Sequence, residues 1–486
     1  MKKYIIEITV FICGALGMIL ELIAARVLSP YIGSSNLIWT TIIGIMLTSM
    51  SIGYLVGGKL ADKNPNMNIL SILILIGSFF VSLIPIFETI LVKVLAQELN
   101  NLVLTAIITS ISVFGIPSFI LATISPFAVK IKDKEHENIG KTSGKISSLS
   151  TIGSILGTFL AGFVLIPNLG VRTIILISAI VLFILSIVIY SNKNIKYFVG
   201  MGIALIALIG MNFYGKLLFE KYNPEIIKDI DSQYSRIWIK EVKKDQISYK
   251  TMQVDTGLES YINQNTNQMG SKYLYYYNLF DYYNKDAKSA LIIGGAAYTY
   301  PTYYLNTYEN NTIDVSEIDE KMTQLAIEQF GLDINNQRLK IYHQDGRSFL
   351  NYTKNKYDTI LIDAFKGVNA PFELTTYEAL TNAKERLNDN GMVITNVISS
   401  LNGEKSNFIK YEYATYKKVF KDVKVFRVSD SIDEQQNQNL ILIGFKGNTN
   451  INSDKYEVYK QLLDSEIIDF KSDKDIVTDD YAPIGN

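Results

Sequence analysis

Four short runs in the second half of this chain have the residue types and spacing for nucleotide and proton chemistry. They are Gly294-Gly-Ala-Ala297, Ser316-Glu-Ile-Asp319, Gln344-Asp-Gly-Arg347 and Ile362-Asp-Ala-Phe365. A turn built from Gly294 and Gly295 lets a ligand approach the backbone closely. Glu317 follows Gly294 by 23 positions, the spacing at which a carboxylate accepts hydrogen bonds from the two ribose hydroxyls of a nucleoside. Asp345, followed by Gly346, suits an adenine amino group, and Asp363 suits the removal of a proton from an amine or another nucleophile. Each acid alone could equally cap a helix, and Asp345 and Asp363 are well placed for that.

Strands must bring these runs together. Apolar segments at 289–294, 312–317, 339–343, 359–363 and 392–397 alternate with stretches suited to crossover helices, which predicts a parallel, doubly wound sheet. Two further strands at 423–428 and 440–445 lack a convincing helix between them and read as an antiparallel hairpin at the sheet edge. All four runs then lie at strand ends, where open α/β sheets bind ligands. Residues 228–265 alternate like half-buried strands and read as a small β-hairpin module. The Tyr-rich stretch 270–285 reads as a helix whose aromatic face belongs to the core.

The first 215 residues obey a different solvent. Apolar stretches at 4–28, 36–58, 68–92, 101–129, 146–166, 170–190 and 196–214 are each long enough for a bilayer span. The first is read as a retained helix and not a cleaved signal. Small residues at Gly14 and Gly17, Gly53 and Gly57, Gly153 and Gly157, and Ala161 and Gly162 suit close helix packing. Lys2, Lys3, Lys59, Lys63, Lys130, Lys132, Lys134, Lys141, Lys145, Lys193 and Lys196 fall at one set of span ends. Arg26, Lys93 and Arg172 fall at the other. The positive-inside rule then puts the N-terminus in the cytoplasm and, after seven crossings, residues beyond 215 outside. Glu7 and Glu21 are acids within the first span, and Glu21 is expected to pair with Arg26. The loop Gly57-Gly-Lys-Leu-Ala-Asp-Lys63 resembles a cytoplasmic loop motif of major-facilitator transporters.

Composition narrows the functions. With 486 residues the chain has room for about three domains, read as 1–215, 228–265 and 266–486. A net charge of −1 argues against a nucleic-acid partner. One cysteine, Cys13, leaves no disulfide, and two histidines, His136 and His343, offer little for a metal, so none is expected.

The order of the motifs resembles spermidine synthase, an aminopropyltransferase, over roughly 230–445. Gln233-Tyr-Ser-Arg-Ile237 in the hairpin module belongs to the likeness. The whole chain is more similar still to bacterial membrane-fused spermidine-synthase-like proteins. The similarity includes Gly14–Arg26, Gly294–Pro301, Asp345-Gly-Arg347, Leu374–Glu378 and Thr478–Pro483. The resemblance implies a helical membrane bundle of about seven spans, followed by a methyltransferase-like Rossmann fold. It implies decarboxylated S-adenosylmethionine or S-adenosylmethionine as co-substrate, with no permanently bound cofactor. It assigns Gln233, Gly294, Gly295, Glu317, Asp345 and Gly346 to the donor and Asp363 to catalysis. The chain departs from the family at two places: an Asp of the glycine loop is Ala297, and a second acid after the fourth strand is Lys366. Glu373, Asp479 and Asp480 are the acids left for an amine, and Lys366 suits a carboxylate-bearing substrate. The expected partners are therefore a small amine or nucleoside and a lipid bilayer, with self-association left open. Two functions compete: alkyl transfer, conventionally of aminopropyl, from a sulfonium donor to an amine, or a membrane transporter or sensor that binds such a ligand without turnover.

Overall fold

A computed structural model of the protein describes residues 4–33, 35–99, 101–132, 139–190, 195–244, 246–364 and 371–483. The chain divides into two compact units, Met1–Trp238 and Ile239–Asn486.

Among the described residues, the first unit holds seven helices long and apolar enough to cross a membrane. They are Ile5–Ile32, Leu37–Lys63, Met67–Ala96, Val103–Lys132, Ile139–Asn168, Val171–Ile189 and Val199–Tyr222. The third and fourth each run 30 residues, about 45 Å of helix, more than enough for one crossing apiece. Three helices contain a turn of π-helix: Glu88–Val92, Ile111–Gly115 and Ala161–Leu165. Pro117 and Pro167 account for the second and third. Each proline lacks an N–H and crowds the carbonyl four residues back, at Val113 and Phe163 inside those turns. Several of the small residues pack as expected: Gly14 lies against Ser150, Gly53 and Gly57 against Phe119 and Thr123, and Gly153 and Gly157 against Phe11 and Ala15, whereas Gly17 and Gly162 face open space.

Charges collect at two ends of this bundle. At one, Glu7 pairs with Lys132 at 2.7 Å and Lys145 at 3.1 Å, and Asp62 with Lys130 at 2.9 Å. At the other, Arg26, Lys93 and Arg172 meet the segment that follows the last helix. Arg26 does not take up Glu21 there but donates to the carbonyls of Ser232 and Gln233. Those carbonyls sit in the turn between β1 (Ile226–Asp231) and β2 (Arg236–Lys244), and a turn carbonyl needs a donor. Lys93 donates to Asn223 at 2.9 Å. Arg236 is the centre of the group: it holds Glu88 at 2.6 Å and grips Asp229 through two nitrogens, both at 2.8 Å. The Arg236 and Glu88 side chains are only 2% and 1% exposed. The indole of Trp238 also donates to Asp229, and the Arg172 guanidinium lies 4.0 Å from the centre of the Phe219 ring.

The hairpin module expected over 228–265 is four strands: β1, β2, β3 (Ile247–Val254) and β4 (Gly257–Asn263), with the unit boundary inside β2. In the second unit β3 and β4 pair antiparallel. The main sheet follows with β5 (Ser289–Ile293), β6 (Thr312–Ser316), β7 (Leu339–Tyr342), β8 (Tyr357–Ile362), β9 (Leu387–Ser399), β10 (Asp422–Arg427) and β11 (Gln438–Phe445). Their order is β10-β11-β9-β8-β5-β6-β7. Strands β5 to β9 pair in parallel, and β10 and β11 form the expected antiparallel edge hairpin. Alternation on β5 sends Leu291 and Ile293 into one apolar layer and Ala290 and Ile292 into the other, so both faces of the sheet are covered. Residues 272–283 are helical, but Lys272–Asn278 wind as a tighter 3-10 helix before the α-turn Leu279–Tyr283.

Candidate active site

Register decides the site. Ile293 pairs with Ser316 on one side and Ile362 on the other, and Ser316 pairs with Tyr342. The chain therefore leaves β5, β6, β7 and β8 at one edge, delivering Gly294, Glu317, Asp345 and Asp363 to the same end of the sheet. The strand order reverses between β5 and β8, which is the crevice where such sheets take ligands.

Gly294 has φ 94°, and a methyl group there would lie 2.4 Å from the Asp363 carbonyl oxygen, so only glycine fits. Ala296 and Tyr298 are also left-handed, at φ 45° and 55°. This costly backbone is held by Glu317: one carboxylate oxygen accepts from the amides of Gly295 at 2.8 Å and Ala296 at 3.1 Å. The other accepts from Asp319 at 2.8 Å. Burial raises the Glu317 carboxyl above its ordinary range, and these three amides pull it back down.

Asp345 is exposed and caps helix Gly346–Tyr352, accepting from the Ser348 amide at 2.8 Å. It stands at the correct strand end, but its carboxylate already has the capping role that its sequence position also allowed. Among the described residues, no backbone amide caps onto Asp363 in this way. Its carboxylate accepts from the Tyr273 hydroxyl at 3.1 Å and from the Asn396 amide at 3.3 Å. Asn439 donates to the Asn396 carbonyl at 2.9 Å and so fixes which way that amide faces. Burial pushes the Asp363 carboxyl up to about 6, against the opposing pull of Tyr273, Tyr277 and Asn396.

The remaining sequence candidates separate. Lys366 lies outside the described residues. Gln233 is in the first unit, where its carbonyl accepts from Arg26. Asp479 accepts from Arg347 at 2.7 Å and from the Thr376 hydroxyl at 2.6 Å, and its amide donates to Glu378. Three motifs far apart in sequence thus lock together, and Asp479 is committed to that lock. Glu373 is exposed and its carbonyl accepts from Arg347 at 3.2 Å; Asp480 is exposed beside the lock. Sequence reading missed Tyr273 and Asn396. Tyr273 was hidden in a Tyr-rich helix assigned to the core, where Tyr277 and Phe280 do belong.

The spermine/spermidine synthase domain family matches residues 275–454, which span β5 to β11. The second unit is spermidine-synthase-like. A probable polyamine aminopropyl transferase of Bifidobacterium longum is 33% identical over 121 residues, 25% of this chain and 26% of that protein. The polyamine aminopropyltransferase 2 of Aquifex aeolicus is 24% identical over 409 residues, 80% of this chain and 78% of its own. That length exceeds the second unit, so the likeness runs on into the first. The polyamine aminopropyltransferase of Vibrio vulnificus is 29% identical over 149 residues, and the chain spans 48% of its length. Among solved structures, a probable spermidine synthase from Corynebacterium glutamicum superposes with a TM-score of 0.44 and 19% identity. It covers 53% of this chain and 99% of its own.

Proposed function

We propose that the spermidine-synthase-like unit transfers an aminopropyl group from decarboxylated S-adenosylmethionine to an amine. The observation that carries this reading is Asp363: a carboxylate tuned to about 6, held by Tyr273 and Asn396 beside a glycine turn at the switch point of the sheet. The nucleoside end of the donor suits the glycine turn, where a Cβ at Gly294 would fill the space, with Glu317 facing the ribose. The sulfonium supplies the leaving group. As the amine nitrogen bonds to the propyl carbon, the carbon–sulfur bond breaks with its electrons on sulfur, and methylthioadenosine departs. Asp363 takes the proton that the amine gives up. Tyr273 and Asn396 hold its two oxygens in place, and orientation of the two reactants supplies much of the rate.

The test is product: purified full-length protein is given decarboxylated S-adenosylmethionine with a panel of amines that includes putrescine. The expected result is methylthioadenosine in equal amount to aminopropylated amine. Binding of methylthioadenosine without product from any amine would overturn the transferase reading.

We propose further that the seven long helices cross the cell membrane with the N-terminus in the cytoplasm and residues 239–486 outside. Support comes from the segregation of Glu7, Asp62, Lys130, Lys132 and Lys145 from Arg26, Lys93 and Arg172. A reporter fused after Asn486 and active only outside the cytoplasm should give signal; a cytoplasmic reporter signal there overturns this placement.

A further inference from the structure

We propose that His343 is a positioning residue for the donor: as a neutral imidazole it holds Tyr298, and through Tyr298 the glycine turn, in the shape that takes the nucleoside. This rests on the transferase reading above.

Tyr298 closes the turn after β5. Its backbone is left-handed, at φ 55°, which a residue with a side chain keeps only where its surroundings hold it. Its ring lies on Gly295, where a Cβ would come within 2.7 Å of it, and its amide donates to the Gly295 carbonyl at 2.7 Å. The ring is fully buried, and its hydroxyl meets the Thr323 hydroxyl at 2.6 Å. Thr323 is buried too, on the helix Glu320–Phe330 that follows β6, and meets Nε2 of His343 at 3.0 Å. His343 stands exposed, one residue past the end of β7. Three side chains, each from the segment after a different strand, therefore run in line from solvent to the nucleoside turn. Glu317 holds the same turn from another side, through the Gly295 and Ala296 amides.

The protons on this line decide what it can do. Burial keeps the Tyr298 phenol un-ionised, so its proton needs an acceptor. With the ring proton of His343 on Nδ1, Tyr298 donates to Thr323 and Thr323 donates to Nε2, and both buried hydroxyls are satisfied. A protonated imidazole carries a donor on Nε2 as well. Three donors then share two contacts, and one buried proton, on Thr323 or on Tyr298, is left with no acceptor among the described residues. A stranded buried donor costs more than a made hydrogen bond contributes. It is relieved when the Tyr298 ring shifts on Gly295, which disturbs the turn. The charged groups around the line are Glu317 and Asp319 past β6, Glu320 and Lys321 on the Thr323 helix, and Asp345 and Arg347 beyond His343. Of these, Glu317 acts on the Tyr298 phenol directly.

Methylthioadenosine affinity of full-length protein is measured at about pH 8 and about pH 5.5, spanning the range in which histidine changes charge. Wild type is compared with Tyr298→Phe, which keeps the ring but not the proton, and His343→Gln, whose amide oxygen accepts and does not titrate. Titration of Glu317, Asp345 and Asp363 is common to all three proteins, so the ratios between them isolate the line. At about pH 8 wild type should bind about fivefold more tightly than Tyr298→Phe, the worth of one hydrogen bond, and should match His343→Gln. At about pH 5.5 the advantage over Tyr298→Phe should vanish, while His343→Gln should bind about fivefold more tightly than wild type. A ratio of wild type to Tyr298→Phe that is the same at both pH values overturns the proposal, as does His343→Gln following wild type at both. Wild-type protein that binds no methylthioadenosine at either pH would instead overturn the transferase reading itself.

Discussion

Replacing Glu317 tests whether one side chain both builds the nucleoside turn and binds the nucleoside. Its carboxylate satisfies three backbone amides, two of them in a turn with left-handed residues at 294, 296 and 298. Glu317→Ala leaves all three N–H groups without that acceptor. At roughly 1 kcal/mol each after relief of the buried charge, the loss is about 3 kcal/mol. With a urea slope of about 2 kcal/mol/M, the unfolding midpoint of the second unit should fall by about 1.5 M. Glu317→Gln can keep its amide oxygen on Gly295 and Ala296 but turns an NH2 toward the Asp319 amide, so about 1 kcal/mol should be lost. Tryptophan fluorescence cannot read this, because Trp39 and Trp238 both lie in the first unit. Pulse proteolysis of the detergent-solubilised full-length protein in urea, scored on survival of the 239–486 portion, reads it directly. Methylthioadenosine affinity, measured where each variant is folded, should fall at least tenfold in both. A midpoint for Glu317→Ala within 0.3 M, on the order of measurement error, would refute the claim that Glu317 holds the turn.

Four further outcomes are expected. Activity should rise with pH through about 6, because Asp363 accepts a proton only when ionised, and Asp363→Asn should lose about 10²–10⁴-fold in rate together with that limb. Because the folded carboxyl binds its proton more tightly than the unfolded one, the Asp363 contribution to stability should fall as pH rises from 3.8 to about 6, and urea midpoints of Asp363→Asn should not show it. Arg236→Met strands Glu88 and Asp229 in a buried site and should cost about 3–5 kcal/mol, read by thermal melting with Trp238 fluorescence. Asp479→Ala should release the C-terminal segment from Arg347 and Thr376, seen as faster tryptic cleavage at Lys471 and Lys474.

Sequence pattern located the parallel strands because each is a short apolar run bounded by turn residues, and the ends of β5 and β8 fell where 294 and 363 were expected. Glu317 and Asp363 were legible for the same reason: acids one residue past a strand end have few places to go. Tyr273 was not, because nothing in a run of tyrosines tells which ring leaves the core to meet Asp363. Asp345 shows the limit from the other side, since one Asp before a helix satisfies the pattern for a ligand group and for a cap alike. The Arg236 group was invisible too. Glu88 reads as an awkward acid near the end of a span, and only the fold shows that its partner stands 148 residues later.

That separation has a consequence for synthesis. Glu88 leaves the ribosome well over a hundred residues before Arg236, and four long helices and β1 must emerge in between. Until they have, the third helix carries an acid with no countercharge, at a turn that is already out of α-helical register. A nascent chain stopped short of residue 236 would therefore hold all seven long apolar helices and still lack the cation that pairs with Glu88 in the third. Assembly of the bundle is completed by the first residues of β2, so quality control that senses an unneutralised acid would read the arrival of β2 as the signal that the helical unit is done.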